Sequence, residues 1–233
     1  MRLAAFAAVA FAGLVPASAM AAERGYTLTS FDKIQVEGPY SVTVVTGGST
    51  SARARGSNEA IERISVSVIS RTLVIRGFKS GWGGWPGANA GPIKIRVTTQ
   101  MLQSASLSGS GSLSVSKMKG PRLSLALYGS GNRAVGAVES DRLAVTLSGA
   151  GAVTVAGRSL IANVSTSGSG TVSADALAVS DLTLNTQSSG IVTIGARRSA
   201  KINANGSGSV TIIGDPACSV EQSGSGTVAC GRP

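Results

Sequence analysis

The chain has 233 residues, with 21 basic and 11 acidic side chains, 31 glycines, 4% aromatics and no histidine. Without histidine the commonest general base, the commonest metal ligand and the usual pH switch are all missing. Few large side chains and many small, hydroxylated and β-branched ones favour closely spaced strands and tight corners over helices.

The chain opens MRLAAFAAVAFAGLVPASAMAAE. Arg2 is a short basic start, and Leu3 to Val15 form an apolar stretch too short to span a bilayer as a helix. Ala17-Ser18-Ala19 and Ala19-Met20-Ala21 both fit the A-x-A cleavage pattern. Residues 1–21 therefore read as a signal peptide cut after Ala19 or Ala21. No cysteine follows the apolar run to take a lipid, and no later segment is apolar enough to be transmembrane. The expected product is exported, either periplasmic or extracellular.

Residues 22–100 read as irregular β, an N-terminal part or cap. Phe31, Ile34, Val36, Tyr40, Val42 and Val44 alternate only in part, at Ile34 and Val36 and at Tyr40, Val42 and Val44, followed by Ile64, Val66 and Val68 and then by Ile93, Ile95 and Val97. Alternation by two marks a strand with one buried face. Ser57-Asn58-Glu59-Ala60-Ile61-Glu62 reads as the start of a single helical turn. Between the later strands lies a glycine-rich loop holding both tryptophans, Trp82 and Trp85. Exposed tryptophans stack on sugar rings or sit at a membrane interface. Lys94 and Arg96 follow on the outward face of the next strand. These four residues are the candidate ligand contacts, with a loop that folds back as a cap as the structural alternative. Residues 22–122 carry 13 basic and 5 acidic side chains, residues 123–233 only 7 and 6. A basic half of this kind concentrates near an anionic glycan or lipid surface.

Residues 101–233 repeat. Gly-Ser-Gly or a near copy recurs at Gly109, Gly129, Gly149, Gly168, Ser188, Gly206 and Gly224, at intervals of 20, 20, 19, 20, 18 and 18. Each corner sits between two alternating strands, as in Leu143, Val145 and Leu147 before Gly149, then Val153 and Val155 after it. Hairpins in a sandwich do not require a constant repeat length, whereas stacked coils do. The reading is all-β, a parallel β-helix (solenoid) with coils of about 18–20 residues turning at Gly-Ser-Gly corners. Leu143, Leu182 and Ile202 are expected in one inward column, and Val153, Val192 and Val210 in another. A second set of breaks, at residues 138–141, 156–159, 195–198 and 214–216, is expected to close each turn. Cys218 and Cys230 flank the last corner twelve residues apart at positions that are apolar in earlier coils. The pair is expected to form a disulfide across the last coil.

Residues 31–42 (FDKIQVEGPYSV), Leu73-Val74-Ile75, Ile93-Lys94-Ile95-Arg96-Val97 and the run from Leu102 into Ser108-Gly109-Ser110-Gly111 resemble, in order, the putative autotransporter adhesin, head GIN domain family. The resemblance covers roughly residues 29–215. It implies a β-helical fold and a bacterial envelope setting, and it brings no catalytic residues.

Other chemistries fail on their requirements. The carboxylates Glu139, Asp141, Asp175, Asp181, Asp215 and Glu221 fall mostly at coil breaks, where Asp makes local turn bonds. Glycine-rich phosphate loops lead into helices, whereas these corners lead into strands. Ser114 with Lys117, and Ser116 with Lys119, have a spacing that works on a helix, not on a strand. Two thiols without histidine make half a zinc site. No metal, cofactor or nucleic-acid partner is expected. The expected function is a non-catalytic β-helix of the cell envelope, a binding, adhesion or scaffolding module that meets anionic glycan or lipid. A carbohydrate-active enzyme and a structural protein that oligomerises by coil-end stacking are the alternatives.

Overall fold

The computed structural model describes residues 22–78 and 92–231. Strands β1 (Ala22–Tyr26), β2 (Lys33–Glu37), β3 (Ser41–Thr46) and β4 (Ser51–Gly56) precede a short helix, α1 (Asn58–Glu62). They are followed by β5 (Ile64–Ile69), β6 (Thr72–Gly77), β7 (Lys94–Thr99), β8 (Ser104–Ser108) and β9 (Ser112–Val115). Longer strands come next: β10 (Met118–Gly129), β11 (Asn132–Gly149), β12 (Ala152–Gly168), β13 (Thr171–Ser188) and β14 (Ile191–Asn205). The last are β15 (Ser209–Ile213), β16 (Ala217–Ser223) and β17 (Thr227–Cys230). The fold is an all-β parallel β-helix of about six turns.

From β8 onward every pairing is parallel, and each coil stacks on the one before it. Corner lies over corner: Gly129 pairs with Gly149, Gly149 with Gly168, and Gly168 with Ser188. The corner glycines are required by the stacking itself. Gly149 has φ +125, and a Cβ there would lie 2.4 Å from the Gly129 carbonyl oxygen. A Cβ on Gly151 would lie 2.3 Å from the oxygen of Gly131. Backbone therefore sits directly on backbone, and the Gly151 N–H donates to the Gly129 carbonyl at 3.1 Å.

Columns are set by distance from the corner. Leu143 and Leu182 both belong to the column that runs through Ala162 and Ala200, six residues before their corners. Ile202 does not share it. It stands four residues before Gly206 and so falls under Leu184, Val164 and Val145. Val153, Val172, Val192 and Val210 do form one inward column. These side chains are at most 3% exposed, and each contributes roughly 1.5–3 kcal/mol by leaving water.

Most of the expected breaks are a third hydrogen-bonded side of the coil. Lys119 pairs with Glu139, Glu139 with Arg158, Arg158 with Ala178 and Ala178 with Gly195. Alternation is too weak there to signal a strand. The register shifts between successive coils also fall on or beside this side, between Val135 and Val138, Thr154 and Gly157, and Ala174 and Asp181. Variation in coil length is absorbed there while the apolar columns stay aligned.

The N-terminal part is not wound in chain order. β2 lies between β6 and β8, and β3 lies between β7 and β9, all parallel. Between them the chain runs out through β4, α1 and β5 before returning as β6. β5 pairs antiparallel with β6, β4 antiparallel with β7, and β1 antiparallel with β4. These antiparallel strands form the N-terminal end of the stack. The helical turn forms as expected, with the Ser57 side chain accepting from the Ala60 N–H at 3.2 Å.

At the other end Cys218 and Cys230 form the expected disulfide, with Cα atoms 6.5 Å apart. Cys218 lies over Ala200 and Cys230 over Ile212. Reducing this bridge should release about 3 kcal/mol of stabilisation from a loop of this size. Hydrogen exchange should then accelerate in β16 and β17 and not in β11–β13. Unchanged protection of the last coil after reduction would show that stacking alone holds it.

One core residue contradicts its column. Arg133 lies between Leu113 and Val153, is 2% exposed, and among the described residues has no hydrogen-bond partner at any guanidinium nitrogen. Burial pushes its pKa down to about 9, so it remains cationic at neutral pH. An unpaired buried charge opposes folding by several kcal/mol. Arg133→Leu, which restores the residue type of the coil below, should raise the melting temperature by several degrees. A lower melting temperature would mean that the guanidinium finds a partner in solution.

Candidate functional site

The outward residues at the N-terminal end form two rows across four strands. β4 reads Ser-Ala-Arg-Ala-Arg-Gly, which turns Ala52 and Ala54 inward and leaves Arg53 and Arg55 outside. β7 buries Ile95 and Val97 and turns Lys94 and Arg96 out. The antiparallel register places Arg55 opposite Lys94 and Arg53 opposite Arg96. On one side β1 adds Glu23 beside Arg55 and Gly25 beside Arg53. On the other β3 adds Ser41 beside Lys94 and Thr43 beside Arg96. One row thus reads Glu23, Arg55, Lys94, Ser41, and the next Gly25, Arg53, Arg96, Thr43. All of them but Gly25 line an open concavity of ≈ 610 Å³.

Four cations share this face with one carboxylate. Glu23 is 2.7 Å from Arg55 Nη2 and 3.4 Å from Arg53 Nη1. The hydrogen bond from Arg55 is the largest influence holding the Glu23 carboxyl below its ordinary pKa. Among the described residues neither Lys94 nor Arg96 has an ion-pair partner. Like charges directly opposite on a sheet repel, so the face favours a bound anion.

Of the four contacts expected from sequence, Lys94 and Arg96 lie together on this face, while Trp82 and Trp85 fall outside the described residues. Arg53 and Arg55 were missed. Their alternation with alanine was visible, but the fold-back that pairs β4 with β7 was not.

The carboxylates that an enzyme would need lie elsewhere. On the third side of the coil Glu139 is surrounded by Arg158 Nη2 at 2.7 Å and by the Nζ atoms of Lys117 and Lys119, each at 3.4 Å. The hydrogen bond from Arg158, then that from Lys117, lowers its pKa to about 2. Asp181 is paired with Arg198 and accepts from Ser199 Oγ at 2.6 Å, and its pKa also falls to about 2. Acids held ionised in this way are unsuited to donating a proton near neutral pH. Among the described residues no group of three or more His, Cys, Asp or Glu is placed to hold a metal ion, and no helix is long and apolar enough to cross a membrane.

The architecture defines the class, a parallel β-helix whose outer faces carry charged and hydroxylated side chains in ordered rows. The chain belongs to the family described as putative auto-transporter adhesin, head GIN domain, which matches residues 30–216. A putative adhesin from Bacteroides fragilis is similar in structure, with a TM-score of 0.83 at 24% identity over 91% of this chain and 97% of that one. A putative lipid binding protein from Parabacteroides distasonis has a TM-score of 0.69 at 23% identity over 91% and 96%. A putative adhesin from Parabacteroides merdae has a TM-score of 0.69 at 19% identity over 91% and 96%. At these identities the likeness establishes the shared fold. No curated protein sequence matches the chain.

The depressed carboxylates give a pH dependence with a definite sign. Glu139 and Asp181 contribute stability above their ordinary pKa values, and that contribution is lost as the pH falls from about 4.5 to about 2. Glu139→Gln should flatten the fall of melting temperature with acid in this window, and salt should flatten it further. An identical acid profile in wild type and variant would show that the cluster contributes no stability.

Proposed function

We propose that this chain is an exported, non-catalytic β-helix of the bacterial cell envelope that acts as a binding or adhesion module, meeting an anionic glycan or lipid surface through the face of Arg53, Arg55, Lys94 and Arg96. The observation that carries the reading is the register that sets Arg55 against Lys94 and Arg53 against Arg96, with Glu23 the one carboxylate among the described residues that pairs with any of them. Family membership and the disulfide support an exported setting. The structural likeness to a protein described as lipid binding supports a lipid surface as one target. The pairing of Glu139 and Asp181 with cations favours binding over hydrolysis.

Binding is measured by cosedimentation with phosphatidylcholine vesicles containing or lacking phosphatidylglycerol, and by retention on immobilised polygalacturonate. Affinity for the anionic surface should fall steeply between about 0.1 and 1 M salt, where the Debye length shrinks from roughly 10 to 3 Å. Lys94→Glu with Arg96→Glu should weaken binding at least about tenfold, because each cation near an anionic surface is worth about 1 kcal/mol. Both side chains are exposed, so the melting temperature should hold. Equal binding by wild type and double variant would rule this face out as the contact.

A further inference from the structure

Glu23 occupies the place that a ligand anion would take. It stands at the end of one row of the cationic face, and its two oxygens are divided between Arg53 and Arg55. Among the described residues its strand, β1, is an edge strand paired with β4. The neighbouring row has no such group. Gly25 stands beside Arg53 in the position equivalent to Glu23, and nothing lies within 4 Å of where its Cβ would be. Lys94 and Arg96 remain unpaired among the described residues. The free protein thus holds one resident carboxylate against four cations, and both cross-strand pairs at the centre of the face are of like charge.

We propose that Glu23 is an internal stand-in for the ligand and that the group displacing it is a phosphate monoester. The proposal rests on the reading of this face as the binding surface. The choice of chemistry follows from the exchange. A carboxylate that displaced Glu23 would replace one singly charged, two-oxygen group by another, and the contacts with Arg53 and Arg55 would be no better than before. A phosphate monoester carries about −1.5 to −2 charges at neutral pH and three acceptor oxygens. Two of those oxygens match the fork of one guanidinium. The third faces across the strand pair, where Lys94 and Arg96 stand opposite Arg55 and Arg53. The Ser41 and Thr43 hydroxyls border the face on the far side and supply neutral donors. The gain comes from relieving two like-charge pairs that Glu23 only partly offsets.

The test compares wild type, Glu23→Gln and Lys94→Glu with Arg96→Glu at fixed ionic strength. The soluble probes are glucose 1-phosphate and acetate, followed by calorimetry. The membrane probes are phosphatidylcholine vesicles containing phosphatidic acid, whose headgroup is a monoester, or phosphatidylglycerol, a diester. Wild type should bind glucose 1-phosphate at least tenfold more tightly than acetate, and phosphatidic acid vesicles more tightly than phosphatidylglycerol vesicles. Glu23→Gln should tighten monoester binding roughly three- to fivefold, the scale of an exposed ion pair, and the double variant should abolish it. Binding of both glucose 1-phosphate and phosphatidic acid identifies the headgroup chemistry as sufficient. Binding of the vesicles alone assigns the monoester to a lipid, and binding of the sugar phosphate alone to a soluble or glycan-borne phosphate. Glu23→Gln with unchanged or weaker monoester binding, beside a wild type that binds and a double variant that does not, would overturn the role of Glu23 and leave the face intact. Equal affinity for acetate and glucose 1-phosphate would overturn the phosphate assignment. Failure of wild type and Glu23→Gln on every anionic probe would overturn both this inference and the reading beneath it.

Discussion

Direct backbone contact at the corners governs the solenoid. At Gly131, Gly151, Gly170, Gly208 and Gly226 the N–H donates to a carbonyl of the coil below at 2.9–3.1 Å. A Cβ at any of these five positions would come within 2.3–2.5 Å of a carbonyl oxygen. At these corner positions the backbone of one coil lies so close over the next that no side chain fits. Each corner therefore fixes the height and rotation of the next coil, and the apolar columns on either side inherit their alignment. Ile202 illustrates the rule, since its column follows from its distance to Gly206 and not from its similarity to Leu182.

This dependence explains what could be read from the sequence. Constant spacing of Gly-Ser-Gly revealed the coil length, the parallel stacking and the inward faces, because each is a direct consequence of repeated corners. The cysteine bridge followed for the same reason, as Cys218 and Cys230 occupy column positions. The third side of the coil was hidden, because Lys119, Glu139, Arg158, Ala178 and Gly195 bond through backbone that any residue supplies. Arg133 was visible as a departure at a position that is Leu or Val in the neighbouring coils, yet only burial gives that departure meaning.

The cationic face was half readable. Lys94 and Arg96 alternate with apolar residues and so declare an outward side. Their partners Arg53 and Arg55 lie some forty residues earlier, on a strand that folds back antiparallel to the coil. No local pattern encodes that pairing. The face exists because β4 folds back antiparallel beside β7 and β1 adds beside β4, which extends the sheet by two strands at the N-terminal end. The fold-back of β4 and the assembly of the charge cluster are thus one structural event.

The position of β2 and β3 between β6–β7 and β8–β9 also bears on how the chain reaches its fold. Lys33 pairs with Thr72 on one side and with Ser104 on the other, so both partners are distant in sequence. Beyond β9 each coil needs only a partner about 18–20 residues away. The entropy of long loop closure is concentrated in the first half of the chain, and the remainder pairs from one coil to the next. β2 and β3 form the junction of two stacks, one toward the N-terminal end and one toward the regular coils. Damage at the turn joining β2 to β3 is therefore expected to disturb stacking on both sides, whereas damage to the last coil touches a neighbour on one side.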